Sequence, residues 1–462
     1  MEPVWIIGAG LAGAEVALQL ARRDIPVRLF EMKPAKRTPA QVSDHFAELV
    51  CSNSFRGAAL ENAVGAIKEE MRRGEGALIR FADEAQVPAG GALAVDREKF
   101  SAAVTAALHA QPNIEIVNAE VQKLPSAEEA SDVVVATGPL TAESLHADIA
   151  AATGSASGLY FYDAIAPIVD ADSIDYDKAF YQSRYDKGDG KDYVNCPLDE
   201  AQYEAFVTAV VEAEKTPARD FEEERFFEGC LPIEVMASRG RETLRYGCMK
   251  PVGLTDPRTE RRPHAVVQLR AEDRERTAFN LVGFQTRMKW GAQKEVFRTI
   301  PGLENVEFLR MGSVHRNTYL DSPKLLDGSL RLKTQPHLIF AGQITGVEGY
   351  VESTACGLLA AWMLIAKRRG VDLPMPPHTS TLGALHGHIL GLAKAPGTEK
   401  AGHVPSNIHW GLCPPPERRV GKRDKKRFYG ERAVQTFEDW WAAHRELLVS
   451  HVRFLGERRS IQ

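Results

Sequence analysis

The sequence predicts an α/β fold: a parallel sheet whose strands come from distant parts of the chain, with a mixed α+β domain inserted between them. A strand, a glycine-rich turn and a helix open the chain. Two further apolar strands, at residues 131–138 and 337–343, each run into a loop that contains glycine. The residues from about 156 to 300 differ in character, because strand-like runs alternate there with a helix-like segment and many charged and aromatic residues.

The first element of this fold is the stretch "VWIIGAGLAGAEVALQLARRDIPVRLFEMK". Its opening apolar run is typical of a parallel strand that is buried on both faces. The glycines that follow match G-x-G-x-x-G, in which they form a tight turn, admit a pyrophosphate and let the helix pack close to the strand. An acid ends the next strand, roughly 20 residues further on, where it can bind ribose hydroxyls. The predicted dinucleotide contacts are Gly8, Ala9, Gly10, Gly13 and Glu31.

Two later stretches favour FAD over NAD as the dinucleotide. The strand in "ASDVVVATGPL" ends in Ala-Thr-Gly, which many FAD proteins place near the cofactor. In "HLIFAGQITGVEGYVESTACGLLAAWMLI" a helix begins near Tyr350, and its N-terminus can stabilise negative charge on a reduced flavin. The fold class is therefore a Rossmann-like FAD-binding domain (glutathione-reductase-like) with an inserted α+β domain. The additional predicted FAD contacts are Thr137, Gly138, Gly342, Gly349 and Tyr350.

The domain limits follow from where these elements lie. We expect residues 1–155 and 301–375 to form the two parts of the FAD-binding domain, and residues 156–300 to form the insertion. Helix "REKFSAAVTAALHA" and the strand "IEIVNAEV" continue the βαβ pattern of the first part. Residues 376–462 form a C-terminal segment, rich in Pro, Gly and His, with a basic stretch and a terminal helix.

The composition excludes several classes of protein. The 462 residues are 44% hydrophobic and carry a formal net charge of −5, so no general basic field indicates a nucleic-acid partner. No apolar run reaches the ~20 residues that span a bilayer, and the N-terminus lacks the features of a signal peptide. The six cysteines show neither C-x-x-C nor a paired metal spacing, which predicts a reduced, cytoplasmic protein without a metal.

Two cysteines are candidates for a reactive thiol. Cys51 in "ELVCSNSFRG" and Cys230 in "RFFEGCLPIEV" both occupy turn-like contexts flanked by polar or charged residues. A nearby arginine or helix N-terminus could lower the pKa of such a thiol. A free cysteine is more often a packed side chain than a nucleophile, so the residues alone leave both interpretations open. Cys356, within "TACGLLAAW", is expected to be a small core residue.

A basic run in "PPPERRVGKRDKKRFYGER" suggests an RNA contact. Its cluster of cations beside Phe428 and Tyr429 suits a phosphate backbone and an unstacked base, whereas the alternative is a solvated tail. A second group, Arg258, Arg261, Arg262 and Arg270, lies in the insertion, and the two together favour a polyanionic substrate. The cations of the first run are Arg418, Arg419, Lys422, Arg423, Lys425, Lys426 and Arg427.

The chain closely resembles the folate- and FAD-dependent tRNA (uracil-5-)-methyltransferase family, often called TrmFO, from residue 3 to about 440. The resemblance rests on "IIGAGLAGAEVALQLA", "ELVCSNSFRG", "GALAVDREKFS", "FFEGCLPIEVMASRGRETLRYGCMKPVGL", "MKWGAQKEVFRTIPGLENVEFLRMGSVHRNTYL", "GQITGVEGYVESTACGLLA" and "VPSNIHWGLCPPP" followed by "KRDKK". The related GidA-type tRNA modification flavoproteins share the FAD motifs. They carry a long helical C-terminal extension, for which we expect no room in 462 residues.

The resemblance implies methylation of C5 of a uridine in the T-loop of tRNA, with carbon from 5,10-methylenetetrahydrofolate, FAD as cofactor and NADH or NADPH as the final reductant. S-adenosylmethionine would play no part. By the same resemblance Cys230 attacks C6 of uracil, while Cys51 lies beside the flavin and handles the methylene carrier or protects the reduced flavin. Trp290 and Tyr350 are candidate stackers for the flavin, the pterin or the target base. Candidate contacts for folate carboxylates or phosphate are Arg287, Lys289, His315 and Arg316.

Three alternatives stay open at this point. A paralogue could methylate ribosomal RNA with the same chemistry and a different docking surface. A GidA-like enzyme would modify the wobble uridine, and the missing extension argues against it. A non-catalytic RNA-binding flavoprotein would not need both cysteine segments. The sequence leaves the oligomeric state open.

Overall fold

The computed structural model describes residues 1–154, 159–186, 190–216, 231–392, 403–417 and 419–449. Cys230 and Arg418 lie outside the described residues, as do the side chains of His315 and Arg316. The strands, numbered in chain order, are β1 Val4–Ile7, β2 Val27–Glu31, β3 Ser54–Gly57, β4 Gln86–Val87, β5 Ala92–Val95, β6 Ile114–Asn118, β7 Val133–Val135, β8 Leu159–Ile165, β9 Ile168–Asp170, β10 Phe180–Tyr181, β11 Tyr193–Leu198, β12 Ala265–Ala271, β13 Ala278–Leu281, β14 Phe308–Arg310, β15 Ser313–Tyr319, β16 Arg331–Leu332 and β17 Gln335–Phe340.

The helices lie between and after these strands. Two of them begin at residues that the sequence predicts, Arg97 and Tyr350. The last helix begins at Lys425, within the basic run. They are α1 Leu11–Ala21, α2 Ala63–Arg73, α3 Ala77–Glu84, α4 Arg97–His109, α5 Glu143–Thr153, α6 Glu200–Glu212, α7 Ile233–Ser238, α8 Thr243–Tyr246, α9 Trp290–Phe297, α10 Ser322–Leu325, α11 Tyr350–Arg368, α12 Thr381–Ile389 and α13 Lys425–Val449.

The main sheet has the strand order β16-β17-β7-β1-β2-β6. All its pairings are parallel except that of β16 with β17. Strands that are far apart in sequence thus become neighbours, with Trp5 opposite Val133 and Val133 opposite Leu338. The apolar runs of β1 and β7 are buried because helices cover the sheet, and α1 packs extensively on α11. The predicted discontinuous α/β fold is confirmed.

A second sheet, of order β10-β11-β12-β13-β9-β14, is antiparallel and has its own hydrophobic core. Helix α6 contributes to that core on one face, where Tyr203, Phe206, Val207 and Val210 are buried. This unit is the inserted α+β domain. Strand β14 pairs with β9, so residues just after 300 also contribute to this sheet. The predicted domain limits themselves remain a prediction.

Two smaller sheets complete the strands. One has the order β3-β5-β4 and carries, just before β3, the segment with Cys51. The other is an antiparallel ribbon of β8 and β15, which pairs Ser313 with Ile165 at one end and Tyr319 with Leu159 at the other. The ribbon joins the two ends of the insertion, because β8 precedes the second sheet in the chain and β15 follows it.

The C-terminal helices pack on the nucleotide-binding part and share its core. The indole of Trp362 on α11 lies among Phe437, Trp440 and Trp441 of α13. At the start of α12 the buried carboxylate of Glu70 accepts hydrogen bonds from two backbone amides, each at 2.8 Å. Across the described ranges, no helix combines the length and apolarity that a membrane span requires.

Candidate functional site

A large cleft opens at the carboxyl ends of β1, β2 and β7, the edge at which parallel α/β sheets bind ligands. It encloses about 1100 Å³ including its open mouth. Its walls come from four regions of the chain: the first βα turn, the end of β2, the segment after β7 and the loop after β17. The predicted FAD contacts Gly8, Gly10, Glu31, Thr137, Gly138, Gly342 and Tyr350 all line it.

The glycines of the first turn have three distinct environments. Gly8 has φ +102°, a left-handed backbone that disfavours any other residue. A Cβ on Gly13 would lie 1.9 Å from the Gly8 carbonyl oxygen, so α1 could not pack there with a side chain. A Cβ on Gly10 would meet no protein atom within 4 Å and would project at the cleft wall. The turn is thus shaped to leave space at the N-terminus of α1, whose first amides suit a pyrophosphate.

Glu31 closes the same end of the cleft. Its Oε2 accepts a hydrogen bond from the Ala9 amide at 3.0 Å, and its Oε1 accepts one from the Lys33 amide at 3.1 Å. These bonds fix the carboxylate against the glycine turn, and each oxygen retains a second lone pair. The carboxylate is therefore held in position to accept hydrogen bonds from ribose hydroxyls. Together with the open position at Gly10, it fits the adenosine and pyrophosphate of FAD.

The N-terminus of α11 forms the opposite wall. Gly349 precedes it with φ +107°, and Tyr350, its first residue, lines the cleft. The Tyr350 hydroxyl accepts hydrogen bonds from the amides of Cys51 at 2.6 Å and Ser52 at 3.0 Å. Burial and the nearby Cys51 sulfur raise the pKa of this hydroxyl above its usual range, so it stays protonated. This pair of bonds fixes the predicted thiol beside the cleft.

The segment that carries Cys51 also contributes to the wall directly, through Glu48 and Val50. The Cys51 side chain is half-buried. Its sulfur lies 4.0 Å from the carbonyl oxygen of Ala164, in β8. The other cysteines of the described residues pack against protein, and burial raises the pKa of Cys248 and Cys413 to about 12 and of Cys356 to about 11. The expectation that Cys356 is a core residue is confirmed.

The loop between β17 and α11 is held from behind by the C-terminal segment. Residues 403–408, which we call the strap, pair with it: the Glu348 amide donates to the Ser406 carbonyl at 2.9 Å, and the Asn407 side chain donates to the Glu348 carbonyl at 2.5 Å. His403 and His388 contact the carbonyl oxygens of Thr345 and Gly346, each at 3.1 Å. Burial lowers the pKa of both imidazoles, and that of His388 to about 4, so they are neutral. Sequence reasoning missed this support, although the histidine-rich composition was visible.

Other predicted contacts lie away from the cleft. Trp290 is 67% exposed at the start of α9 and does not line the cleft, so its stacking role stays a prediction. The Arg287 amide donates to Glu234 at 2.8 Å within the insertion, and Lys289 pairs with Glu214. For His315 and Arg316 the structure describes the backbone alone, in β15, and their predicted roles stay predictions. Cys230 lies outside the described residues, and its predicted role stays a prediction.

The basic run lies at the surface, and one part of its interpretation is wrong. Tyr429 is 5% exposed and stacks on Trp410, so it cannot stack on a free base. The reason is helical spacing, because Tyr429 is on the face of α13 that packs inward. The described cations of the run that are exposed are Arg419, Lys422, Arg423, Lys425, Lys426 and Arg427.

The second basic group is only partly available for RNA. Arg258 makes two hydrogen bonds to Asp256, at 2.9 and 2.7 Å, and Arg270 is buried. Arg261 and Arg262 are exposed. The interpretation of this group as one polyanion-binding surface is therefore wrong for Arg270, whose buried side chain hydrogen-bonds Asn53. Within the described residues, no cluster of three or more His, Cys, Asp or Glu could hold a metal ion.

The chain is similar in sequence to known proteins over most of its length. Residues 3–372 match the family model "Glucose inhibited division protein A". The chain is 56% identical to the methylenetetrahydrofolate--tRNA-(uracil-5-)-methyltransferase TrmFO of Geobacter sulfurreducens, over 95% of this chain and 99% of that protein. It is 53% identical to the TrmFO of Magnetococcus marinus, with the same coverage of both chains.

A solved structure supports the fold independently. GidA of Aquifex aeolicus superposes with a TM-score of 0.68 at 16% identity, covering 99% of this chain and 74% of that one. At this identity the likeness is evidence of the fold alone, and it agrees with the main sheet and its insertion. The chain therefore belongs to the TrmFO family of methylenetetrahydrofolate-dependent tRNA (uracil-5-)-methyltransferases, within the wider GidA group.

Proposed function

We propose that this chain methylates C5 of a T-loop uridine in tRNA, with FAD in the cleft and 5,10-methylenetetrahydrofolate as the carbon donor. The observation that supports the site assignment is the pair of hydrogen bonds from the Cys51 and Ser52 amides to the Tyr350 hydroxyl, which ties the Cys51 segment to a residue that lines the cleft. A thiol in that position suits one-carbon chemistry next to a flavin. Family membership supplies the reaction.

The chemistry requires a nucleophile because uracil C5 is unreactive on its own. Addition of a thiolate to C6 produces an enolate, in which C5 becomes nucleophilic and can take up a one-carbon unit. We assign this addition to Cys230 on the family resemblance, since that residue lies outside the described part of the chain. Cys51 is assigned to the cleft side, where it handles the carbon carrier or protects the reduced cofactor.

FAD would supply the reduction that brings the methylene carbon to the methyl level, and NADH or NADPH would restore the reduced cofactor. The residues present fit FAD: the glycine turn would hold its pyrophosphate, Glu31 would bind its ribose, and the N-terminus of α11 would face its ring end. The chain's own contribution there is to bind the cofactor, orient it and hold the thiol. We place this activity in the cytoplasm, where the reduced cysteines are stable.

The tRNA backbone would contact the exposed cations of the basic run. Lys422, Arg423 and Lys426 are all exposed, and RNA affinity follows the number of phosphates that such cations neutralise. Arg427 also lies within hydrogen-bonding or ion-pair reach of Asp424 and Glu431, so part of its charge is compensated. The basic run extends into the start of α13, the helix that packs on α2 and α11.

The test is methylation of unmodified tRNA, and of a ribosomal RNA fragment, with carbon-labelled methylenetetrahydrofolate and either NADH or NADPH. We expect label in 5-methyluridine of the tRNA T-loop alone. Label in the ribosomal fragment alone would replace the tRNA assignment with the paralogue. Absence of methylation with this donor would contradict the proposal.

A further inference from the structure

Asn53 lies two residues after Cys51, at the contact between the FAD-binding part and the insertion. Its side chain is fully buried. Through Nδ2 it donates to the carbonyl oxygen of Val95, in β5, at 3.1 Å and to that of Ala271, in β12, at 2.9 Å. Its Oδ1 accepts a hydrogen bond from Nε of Arg270, also in β12, at 2.9 Å. One amide group thus joins the backbone next to Cys51 to both parts of the chain.

A second contact ties the stretch before Cys51 to the insertion. The guanidinium of Arg97, at the start of α4, donates through Nη1 to the carbonyl oxygen of Leu49 at 2.9 Å. The same guanidinium forms an ion pair with the buried carboxylate of Glu272, which directly follows β12. The insertion therefore holds residues 49–53 at both ends, through Arg97 at Leu49 and through β12 at Asn53.

Between these two ends the same residues are held by the wall of the cleft. The amides of Cys51 and Ser52 donate to the Tyr350 hydroxyl, and Tyr350 lines the cleft, as does Val50. Because packed protein interiors are dense and transmit strain, a change in how the insertion docks reaches the cleft through residues 49–53.

We propose that Asn53 is a positioning residue, through which the docked insertion fixes residues 49–53 at the cleft for methylation. The inference deepens the proposed function and rests on it, since it concerns the same cleft and the thiol assigned to it. Asparagine suits this role because its amide both donates and accepts, so that one side chain satisfies buried partners on two parts of the chain. Asn53 acts through the backbone beside it and not by contact with a ligand, since its side chain is fully buried.

The test compares Asn53→Ala with Asn195→Ala in the FAD-loaded protein. Asn195 is the matched control, because it is equally buried and makes its hydrogen bonds within the insertion. Its Nδ2 donates to the Gln182 carbonyl at 2.9 Å, and its Oδ1 accepts from Gln268 at 3.0 Å. Each variant loses one buried amide, and we expect a similar drop in the denaturant midpoint for both. Only Asn53→Ala should release residues 49–53 from the insertion.

Hydrogen–deuterium exchange measures that release directly. We expect the amides of Cys51 and Ser52 to exchange about tenfold faster in Asn53→Ala, because a lost hydrogen bond makes local opening easier, and at the wild-type rate in Asn195→Ala. Methylation is the second measurement. Asn53→Ala should lower kcat about 10- to 100-fold with the KM for tRNA unchanged, since misplacement slows the reaction without weakening RNA docking. Asn195→Ala should leave kcat unchanged, and flavin absorbance confirms that each variant holds FAD.

A second variant keeps the proposal testable if Asn53→Ala fails to fold. Arg270→Met removes the donor to Oδ1 of Asn53 and leaves the hydrogen bonds of Nδ2 in place, so we expect smaller changes in the same direction. Wild-type exchange of the Cys51 and Ser52 amides in either folded variant would overturn the proposal.

The kinetic results separate positioning from general destabilisation. An equal loss of kcat in Asn195→Ala would overturn the proposal, as would faster exchange in Asn53→Ala beside a wild-type kcat. If the wild-type protein methylates no tRNA, the proposed function fails, and the exchange rates still decide whether the insertion holds residues 49–53.

Discussion

Gly10 separates the requirements of folding from those of cofactor binding, because a methyl group added there meets no protein atom within 4 Å. Its φ of −73° is open to alanine, so Gly10→Ala creates no backbone strain. At the N-terminus of α1 the change costs only about 0.5 to 1 kcal/mol of capping energy. The new methyl group lies instead in the wall of the cleft, where the pyrophosphate of FAD must approach.

We expect Gly10→Ala to weaken FAD binding by about 1 to 3 kcal/mol, the usual penalty for crowding a close-packed contact, which is roughly a 5- to 150-fold rise in Kd. Titration of the apoprotein by flavin fluorescence measures the Kd, and thermal unfolding of the apoprotein measures the folding cost. Gly91→Ala is the matched control, because its Cβ is equally free of contacts and lies outside the cleft. Wild-type FAD affinity in Gly10→Ala would refute the placement of the pyrophosphate at this turn.

Four further results are expected. Tyr350→Phe removes the acceptor for the Cys51 and Ser52 amides. It should lower kcat for methylation and reduce the free energy of unfolding by about 1 to 2 kcal/mol while FAD stays bound. An unchanged kcat and an unchanged stability would contradict the positioning role of Tyr350. Burial raises the pKa of Glu70 to about 7 in the folded chain, so the folded state binds more protons than the unfolded state between pH 4.5 and 7. Raising the pH through that window should therefore cost the wild type about 3 kcal/mol relative to Glu70→Gln in denaturant unfolding, and parallel curves would refute the shift. Asn407→Ala removes the strap's hydrogen bond to the Glu348 carbonyl and should speed FAD dissociation several-fold. The control Val404→Ala, at an exposed residue of the strap, should leave the rate unchanged. Equal dissociation rates in the two variants would contradict a role of the strap in FAD binding. Replacing Lys422, Arg423 and Lys426 with Gln should raise KM for tRNA and reduce its salt dependence with kcat retained, and an unchanged salt slope would place the RNA elsewhere.

The FAD-binding elements could be predicted from the sequence because their signals are local. The glycine spacing, the strand that precedes it and Glu31 all fall within one βαβ unit, and the structure places them around one cleft. The start of α11 at Tyr350 was predicted for the same reason, since a glycine-rich loop precedes an apolar helical run. In each case the residue's role depends on neighbours a few positions away.

The surroundings of Cys51 could not be predicted, because they depend on contacts between distant residues. Cys51 and Tyr350 are 299 positions apart, and Asn53 and Arg270 are 217 apart. Arg270 is visible in the sequence, but only the docking of the insertion on the nucleotide-binding part brings its side chain to Asn53, in the segment that carries Cys51. The sequence predicts Arg270 as a surface cation because the strand pattern does not reveal what covers its side chain.

The burial of Tyr429 could have been predicted, although the strap could not. Tyr429, Ala433 and Phe437 recur at four-residue intervals and share one buried helical face, which is a period that sequence inspection can detect. The strap has no such period. Its polar groups bind a loop roughly 60 residues earlier in the chain, and such pairing leaves only a composition rich in Pro, Gly and His.

The central claim is that this chain transfers a carbon from folate to uridine by means of FAD and a thiol. The most direct measurement incubates the FAD-loaded protein with unmodified tRNA, NADH or NADPH and methylenetetrahydrofolate labelled in its methylene carbon, and then analyses the nucleosides by mass spectrometry. We predict labelled 5-methyluridine at one T-loop position, lost when the apoprotein is used and restored by added FAD. Unlabelled tRNA with this donor, or methylation that requires S-adenosylmethionine, would contradict the claim.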